Sequence, residues 1–302
     1  MNIVETRVLG KRYGSTWALR ECSLEIPAGH VAALVGPNGA GKTTLLNLVV
    51  GLSAPSAGGL AVLGGHAPGS PAALDEVAFV AQDTPLYKNL SVSDMLHVTR
   101  SLNRRFDQGY AEARLDELGI PAKRRSGKLS GGQQAQLALT LALARRPSLL
   151  VMDEPMAMLD PIARHDFMAS VLTAAADDGV SVLLSSHVLA ELERVADYLI
   201  LLSQGRVQVA GEVDALLAGH RLLTGPSAQA DSYSERPVVH VRRAQAQAHL
   251  LVRASADDPI PPGWESHPVG MEELALAYLR EPRASALPGS VGRDAEPVTV
   301  AR

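Results

Sequence analysis

The chain has 302 residues, of which 46% are hydrophobic and 20% charged, and its formal net charge is −4. This length and apolar content allow one large or two modest domains with a sizeable core. The slightly acidic balance argues against nucleic acid as a partner, because dedicated nucleic-acid-binding proteins are usually basic. Cys22 is the single cysteine, so an internal disulfide and a cysteine-based zinc site are excluded.

Apolar runs alternate with helical patterns from the N-terminus to about residue 217. Four apolar runs have the length of buried strands: residues 30–35, 148–152, 181–185 and 199–202. Four further stretches have helical composition or boundaries: residues 42–50, 92–103, 110–118 and 131–145. This alternation is typical of an α/β domain in which helices cover a mostly parallel sheet.

The composition changes after about residue 218. Turn-forming residues at Gly219, Gly225, Pro226 and 227–237 predict a linker. Beyond it we predict short strands at 238–241 and 250–252, an amphipathic helix at 271–280 and a disordered tail at 283–302, where no periodicity is present. We therefore predict a domain over 1–217, a small α+β extension over 218–282 and the tail. The extension could regulate or dimerise the protein, or be a loosely packed appendage.

Two features bear on the location of the protein. No stretch reaches the roughly 18 apolar residues that a spanning helix needs. The N-terminus lacks the charged start and apolar run of a secretory signal. We therefore expect a chain that is soluble by itself and reaches a membrane only through a partner.

Residues 36–44 read GPNGAGKTT and fit G-x-x-x-x-G-K-[ST] between a predicted strand and a predicted helix. Glycines let backbone N–H groups wrap a triphosphate, and the helix adds its positive end. We predict that the whole loop binds ATP: Gly36, Pro37, Asn38, Gly39, Ala40, Gly41, Lys42, Thr43 and Thr44. Lys42 would meet the β- and γ-phosphates, and the Thr43 hydroxyl would ligate Mg²⁺. The alternative is a chance glycine turn before a helix.

Asp153 and Glu154 follow the predicted strand at 148–152. Such a strand carries its last residues to the carboxyl edge of the sheet, where ligands bind in α/β folds. Asp153 is predicted to hold Mg²⁺, and Glu154 to act as general base toward an attacking water. Without the phosphate loop, the two acids could simply lie at a helix N-terminus. Together with the phosphate loop, the pair favours a catalytic role.

The sequence LSGGQ at 129–133 narrows the choice among phosphate-loop proteins. Its serine and glycines open the helix predicted at 131–145 and form a second anion-binding helix start. LSGGQ resembles the signature of ABC-type ATPases, and the order of motifs over the first two-thirds of the chain is similar to that family. The resemblance implies an α/β P-loop ATPase of ABC type. Its fold has a mostly parallel sheet core, an antiparallel β subdomain and a helical subdomain at about 83–146, here with a small C-terminal extension.

The resemblance also implies roles for single residues. Tyr13 would stack on adenine, Gln82 would reach Mg²⁺ and the catalytic water, and His187 would contact the γ-phosphate. Asp160 of the LDP segment would cross a dimer interface. The signature residues would cap the ATP of the partner subunit: Ser130, Gly131, Gly132 and Gln133. Without the resemblance, Tyr13 could be a surface aromatic residue, Gln82 a polar loop residue and His187 a structural histidine. The signature could simply be the cap of a helix.

The implied protein is the ATP-hydrolysing subunit of an ABC transporter, with ATP and Mg²⁺ as cofactors. It would pair with a second nucleotide-binding domain as a homo- or heterodimer. It would power a separate membrane permease from the cytoplasmic face of the cell membrane. Residues 83–103 and the helix at 271–280 resemble the ATPases of ABC-2 type exporters, including drug and antibiotic exporters.

Departures from the family pattern leave one alternative open. Bulky Met158 lies in residues 156–161, the segment that resembles the D-loop of the family and includes LDP. Residues 134–136 lack the basic residue that often follows the signature. The chain could therefore be an ATP-binding regulatory subunit with little hydrolysis that gates a heterodimeric partner. DNA-repair ATPases with a long coiled coil and two-cassette translation factors do not fit. The chain has no heptad run and one set of motifs.

Overall fold

A computed structural model describes residues 1–83, 86–233, 237–255 and 257–281; the predicted tail at 283–302 lies outside the described residues. The strands are β1 (Asn2–Tyr13), β2 (Thr16–Pro27), β3 (Val31–Val35), β4 (Ala57–Val62), β5 (Val77–Val80), β6 (Leu149–Asp153), β7 (Ser181–Ser186), β8 (Tyr198–Ser203), β9 (Arg206–Glu212), β10 (His220–Pro226), β11 (Val238–Ala244), β12 (Gln247–Arg253) and β13 (Glu265–His267). The α-helices are α1 (Lys42–Val49), α2 (Pro71–Glu76), α3 (Val92–Leu102), α4 (Gln108–Glu117), α5 (Gly131–Leu143), α6 (Pro161–Asp178), α7 (Leu189–Leu192), α8 (Val213–Ala218) and α9 (Met271–Arg280). Short 3-10 helices cover Ser126–Lys128 and Ser227–Ser232.

The central sheet has six strands in the order β5-β6-β7-β3-β8-β9. The first five are parallel, and β9 is antiparallel to β8. Every residue of β3, β6, β7 and β8 is buried, as expected for strands covered on both faces. The sequence-predicted strands and helices of the first 217 residues are confirmed, with ends within two residues. Because β6, β7 and β3 are neighbours, their carboxyl ends meet at one edge.

An antiparallel sheet and a helical group flank the central sheet. The antiparallel sheet has the order β2-β1-β4 and shares a core cluster with α1, in which Leu24, Leu46 and Ile200 are buried. Helices α3, α4 and α5 pack around a separate cluster that includes Met95 and Leu137. The expected mostly parallel core, antiparallel sheet and helical group are therefore all present.

The C-terminal elements form a four-stranded antiparallel sheet in the order β11-β12-β10-β13. Helix α9 packs against β8 and β11. Leu274 and Tyr278 on this helix are fully buried, in the same core cluster as Leu199 and Leu201 of the central sheet. The strands predicted at 238–241 and 250–252 and the helix at 271–280 are confirmed. The interpretation of this region as a loosely packed appendage is wrong for α9, because its apolar face is part of the main core.

The predicted linker is wrong over its first part. Gly225 and Pro226 are the last residues of β10, and residues 227–232 form a 3-10 helix. A Cβ on Gly225 would lie 2.4 Å from Cδ2 of Trp264. Close packing against the indole ring of Trp264, and not a turn, therefore requires a glycine at this position. The sequence alone does not distinguish a glycine required by packing from one required by a turn.

In the part of the chain that the structure describes, no helix has the length and apolar character required to cross a lipid bilayer.

Candidate functional site

The phosphate loop connects β3 to α1 and lies tightly against the central sheet. A Cβ on Gly36 would stand 2.2 Å from the carbonyl oxygen of Leu202 on β8, so only glycine fits there. Gly41, the N-cap of α1, has φ of 107°, which other residues rarely adopt. No side chain caps α1, and its first turn has no acidic residue. The N–H groups of that turn are therefore suited to an anion.

Lys42 is a buried cation at the start of α1, with 6% of its side chain exposed. Its ammonium donates to the carbonyl oxygen of Gly36 at 2.8 Å and lies 3.3 Å from Oε1 of Glu154. A buried charge needs such partners, because desolvation alone would be costly. A phosphate group would supply the same kind of negatively charged oxygen to this ammonium.

Glu154 follows β6 with φ of 44°, in the left-handed region that non-glycine residues seldom occupy. Strained backbone of this kind often occurs at functional sites. The turn places the carboxylate between two groups. Oε1 lies near Lys42, and Oε2 is 2.9 Å from Nδ1 of His187. Only 13% of the Glu154 side chain is exposed, whereas His187 is 52% exposed. The imidazole thus stays accessible to a bound substrate.

Ser185 is a functional residue that sequence reasoning missed. Its hydroxyl donates to Oδ1 of Asp153 at 2.6 Å and accepts from the backbone N–H of Glu154 at 2.8 Å. Asp153 and Ser185 face each other in the register of the parallel strands β6 and β7. The available sequence signal was the serine pair Ser185–Ser186 at the end of an apolar strand. Only the pairing of β6 with β7 shows that Ser185 contacts Asp153.

The signature residues form the start of α5. Ser130 is the N-cap, and it exchanges capping-box hydrogen bonds with Gln133, at 3.2 Å each. A Cβ on Gly132 would lie 3.0 Å from Cβ of Ala163, and one on Gly131 would lie 3.9 Å from the carbonyl oxygen of Met158. The signature therefore adjoins the D-loop of the same chain. No hydrogen bond or ion pair between described residues joins it to Lys42, Glu154 or His187.

The remaining predicted site residues lie on the surface around this cluster. Tyr13, at the end of β1, is 52% exposed. Gln82 is exposed two residues after β5. Asp160 is the N-cap of α6 and accepts from the N–H groups of Ile162 and Ala163 at 3.0 and 2.9 Å. The structure thus brings together Lys42, Glu154 and His187, and Ser185 connects Asp153 to the backbone of Glu154. It leaves Tyr13, Gln82, Asp160 and the signature outside their direct contacts.

The chemistry of the donor set decides whether the site fits ATP and Mg²⁺. Among the described residues there is no group of three or more His, Cys, Asp or Glu side chains that could hold a metal. Mg²⁺ is usually held by one or two carboxylates together with substrate phosphates and water. Asp153 and the Thr43 hydroxyl supply ligands of that type, and Gln82 offers an amide oxygen. The uncapped start of α1 and buried Lys42 suit a polyphosphate, so the residues fit both groups.

Comparison with known proteins gives consistent matches. The family model "ABC transporter" matches residues 19–157. A lantibiotic transport ATP-binding protein of Streptococcus pyogenes is 31% identical, over 68% of this chain and 89% of that protein. An Fe(3+) ions import ATP-binding protein of Pseudomonas fluorescens is 36% identical, over 70% of this chain but 62% of that protein. A solved ATP-binding subunit of an ABC transporter superposes with a TM-score of 0.64 and 26% identity, over 71% of this chain and 91% of its own.

These matches and the geometry of the phosphate loop agree, and they confirm the predicted fold class. The chain belongs to the ATP-binding subunits of ABC transporters, which are ATPases that bind ATP together with Mg²⁺.

Proposed function

We propose that this chain hydrolyses ATP at the cluster of Lys42, Glu154 and His187, and that hydrolysis drives export through a separate membrane permease. The observation that carries the proposal is the position of the Glu154 carboxylate. It lies between the lysine of the phosphate loop and His187, at the carboxyl edge of three neighbouring parallel strands. Charged groups that meet at such an edge are typical of catalysis on a bound ligand.

Binding of ATP is assigned to the phosphate loop. The N–H groups of the first turn of α1 and the ammonium of Lys42 bind the phosphates, and exposed Tyr13 stacks on the adenine. Asp153, Thr43 and Gln82 would hold Mg²⁺. When bound, this ion neutralises the negative charge of the phosphates and helps to orient them.

Proton transfer is assigned to Glu154. Its carboxylate accepts the proton of the attacking water, and His187 orients that carboxylate and contacts the γ-phosphate. Ser185 fixes the strand ends beneath both acids, because its hydroxyl bonds Asp153 and the backbone of Glu154 at once. The strained backbone at Glu154 is maintained by this hydrogen bond.

A second nucleotide-binding domain, of the same or another chain, completes the site in our proposal. The N-terminus of α5 does not contact its own Lys42–Glu154–His187 cluster, so it is free to meet the ATP of a partner. Near it, Met158 and Ile162 are 88% and 75% exposed. Large apolar side chains exposed beside a helix start suit burial in an interface. Asp160 lies between them and would cross the same interface.

The permease is proposed to dock beside Gln82. A groove of about 220 Å³ lies between β5 and the helical group, and Leu86, Met95 and Leu141 are among its lining residues. Leu102, at the end of α3, is also exposed. A helix on the cytoplasmic side of a permease suits such a groove. Its binding would place the chain at the cytoplasmic face of the cell membrane and connect it to Gln82.

Export is preferred to import on coverage. The chain spans 68% of a Nod factor export protein of Cupriavidus pinatubonensis, but 62% of the iron import protein. The test uses inside-out vesicles that contain the co-expressed permease. ATP-dependent accumulation of a labelled lantibiotic supports export of that cargo class. Uptake only into right-side-out vesicles would contradict export.

The first experiment compares wild type with Glu154→Gln, which keeps the size of the side chain but removes its basicity. Hydrolysis that depends on Mg²⁺ is expected to fall about 10²- to 10⁴-fold. ATP binding persists, and light scattering detects an ATP-trapped dimer. Glu193→Gln is the matched control, because Glu193 is exposed beyond α7. If wild type with its permease binds ATP but hydrolyses none, the regulatory alternative replaces this proposal.

A further inference from the structure

Arg164, on the first turns of α6, contacts two segments of the catalytic region. Its Nε donates to the carbonyl oxygen of Leu159 at 2.8 Å, within the D-loop. Its Nη1 donates to Oε1 of Glu191 at 2.7 Å, on α7. The Arg164 and Glu191 side chains are 33% and 22% exposed. One partly buried guanidinium thus bridges the D-loop and the helix that follows His187.

Each of these segments carries one half of the proposed catalytic pair. The D-loop continues directly from Glu154, and the N–H groups of Ala157 and Leu159 bond the carbonyl oxygens of Glu154 and Met156. The other segment runs from His187 into α7, where the N–H of Glu191 bonds the carbonyl oxygen of Val188. A shift of either segment would therefore change the 2.9 Å contact between Glu154 and His187.

Apolar residues of both segments, among them Leu159 and Leu189, belong to the main core, but packing between the segments is incomplete. A cavity of about 30 Å³ separates them, and its lining includes Glu154, His187, Arg164 and Glu191. This volume exceeds the roughly 10–15 Å³ that one water requires, so side chains do not fill the gap. Arg164 and Glu191 both line this cavity, and their ion pair is a polar contact that bridges the two segments.

We propose that Arg164 is a positioning residue of the ATPase, which holds the D-loop and the His187 segment at the spacing that joins Glu154 to His187. The link to hydrolysis rests on the function proposed above; the mechanical link between the segments does not. Two donors on one planar group are needed, because the guanidinium donates to the carbonyl oxygen of Leu159 and to the carboxylate of Glu191 at the same time. The flexible ammonium of lysine cannot reproduce that geometry fully.

The test compares the full chain with Arg164→Met, Arg164→Lys and Glu191→Gln. Hydrogen–deuterium exchange is measured over residues 154–160 and 186–193, alongside kcat and KM for ATP. In Arg164→Met, exchange is expected to rise in both segments together. In the same variant, kcat falls about 10- to 100-fold with KM changed less than about twofold. Glu191→Gln raises exchange in both segments to a smaller extent, and Arg164→Lys retains part of the activity.

Arg146→Met is the matched control. Arg146 also bridges two elements, through Asp107 and Asp178 at 3.0 Å each, but it lies away from the Glu154–His187 pair. This variant is expected to lower the melting temperature without changing exchange in the two segments. The proposal is overturned if Arg164→Met raises exchange in one segment or in neither. It is also overturned if kcat matches that of Arg146→Met. Because exchange does not require turnover, it decides the bridge even if wild type proves inactive, which would contradict only the proposed function.

Discussion

His220 and His187 show how the same type of side chain has a structural role in one region of the molecule and a proposed catalytic role in another. His220 is 7% exposed, and both ring nitrogens have partners: Nδ1 lies 2.7 Å from the carbonyl oxygen of Leu216 and Nε2 lies 2.8 Å from the hydroxyl of Tyr278. His187 is half exposed, and among the described residues its ring hydrogen-bonds to the Glu154 carboxylate alone. A histidine satisfied on both sides supports packing, whereas one with an accessible ring next to a carboxylate can act on a substrate.

The C-terminal cluster around His220 forms a consistent donor chain. Nε of Arg253 donates to the Tyr278 hydroxyl at 2.8 Å, that hydroxyl donates to Nε2 of His220, and Nδ1–H of His220 donates to Leu216. Burial lowers the pKa of His220 and raises the pKa of Tyr278. Both groups are therefore neutral near pH 7, as the chain requires. The cluster joins β10, β12 and α9, so its role is to fix the C-terminal sheet to the helix.

The largest effect is expected at Ser185, on the catalytic side of the comparison between the His187 and His220 clusters. Ser185→Ala leaves Oδ1 of Asp153 and the N–H of Glu154 without this partner. Loss of a buried partner costs about 1–3 kcal/mol, which corresponds to a fall in kcat of roughly 5- to 150-fold if it is felt in the transition state. Steady-state ATPase assays measure the change.

Ser181→Ala is the control for that variant, because Ser181 is buried at the other end of β7, where it accepts from the N–H of Gly29 at 2.9 Å. It should lower stability and leave kcat unchanged. Equal kcat values for the two serine variants would contradict a special role for the catalytic edge.

Tyr278→Phe tests the structural side of the comparison. The substitution keeps the ring in the core but removes the hydroxyl that serves His220 and Arg253. We expect the free energy of unfolding to fall by about 1–2 kcal/mol with kcat unchanged. Urea unfolding followed by tryptophan fluorescence measures the loss. Tyr87→Phe, at a position 65% exposed, is the control and should change neither quantity. A large fall in kcat for Tyr278→Phe would show that the cluster serves the reaction.

The smallest expected effect is a pH dependence from His220. Burial holds the pKa of this imidazole below its ordinary value of 6.5 in the folded state, so the unfolded chain binds more protons as the medium becomes acidic. The contribution to stability is complete above pH 6.5 and is lost as pH falls toward the folded pKa, by at most about 1.4 kcal/mol per pH unit.

Melting temperatures at pH 7 and pH 5 for wild type and His220→Gln measure this effect. Wild type should lose more stability on acidification than the variant, because the variant has no imidazole to protonate at this position. Parallel pH profiles would show that His220 does not titrate in this way.

Short-range signals account for what the sequence predicted well. The strand before the phosphate loop, the helix from Lys42 and the helix at 271–280 have periodicity or boundary residues that are complete within one segment. The failure at Gly225 and Pro226 has a long-range cause, since the indole of Trp264 lies far along the chain. Turn-forming residues at a strand end and in a linker look identical until a packing partner is known.

The sequence by itself determined the chemistry of this protein. Motif spacing located the phosphate loop, both acids and the signature, because each motif is a local run whose backbone geometry follows from its own residues. Only the tertiary structure decided which groups meet: Glu154 with Lys42 and His187, Ser185 with both acids, and Arg164 with Glu191. These contacts join residues that lie 27 or more positions apart, so they depend on strand order and register, which local sequence patterns do not encode.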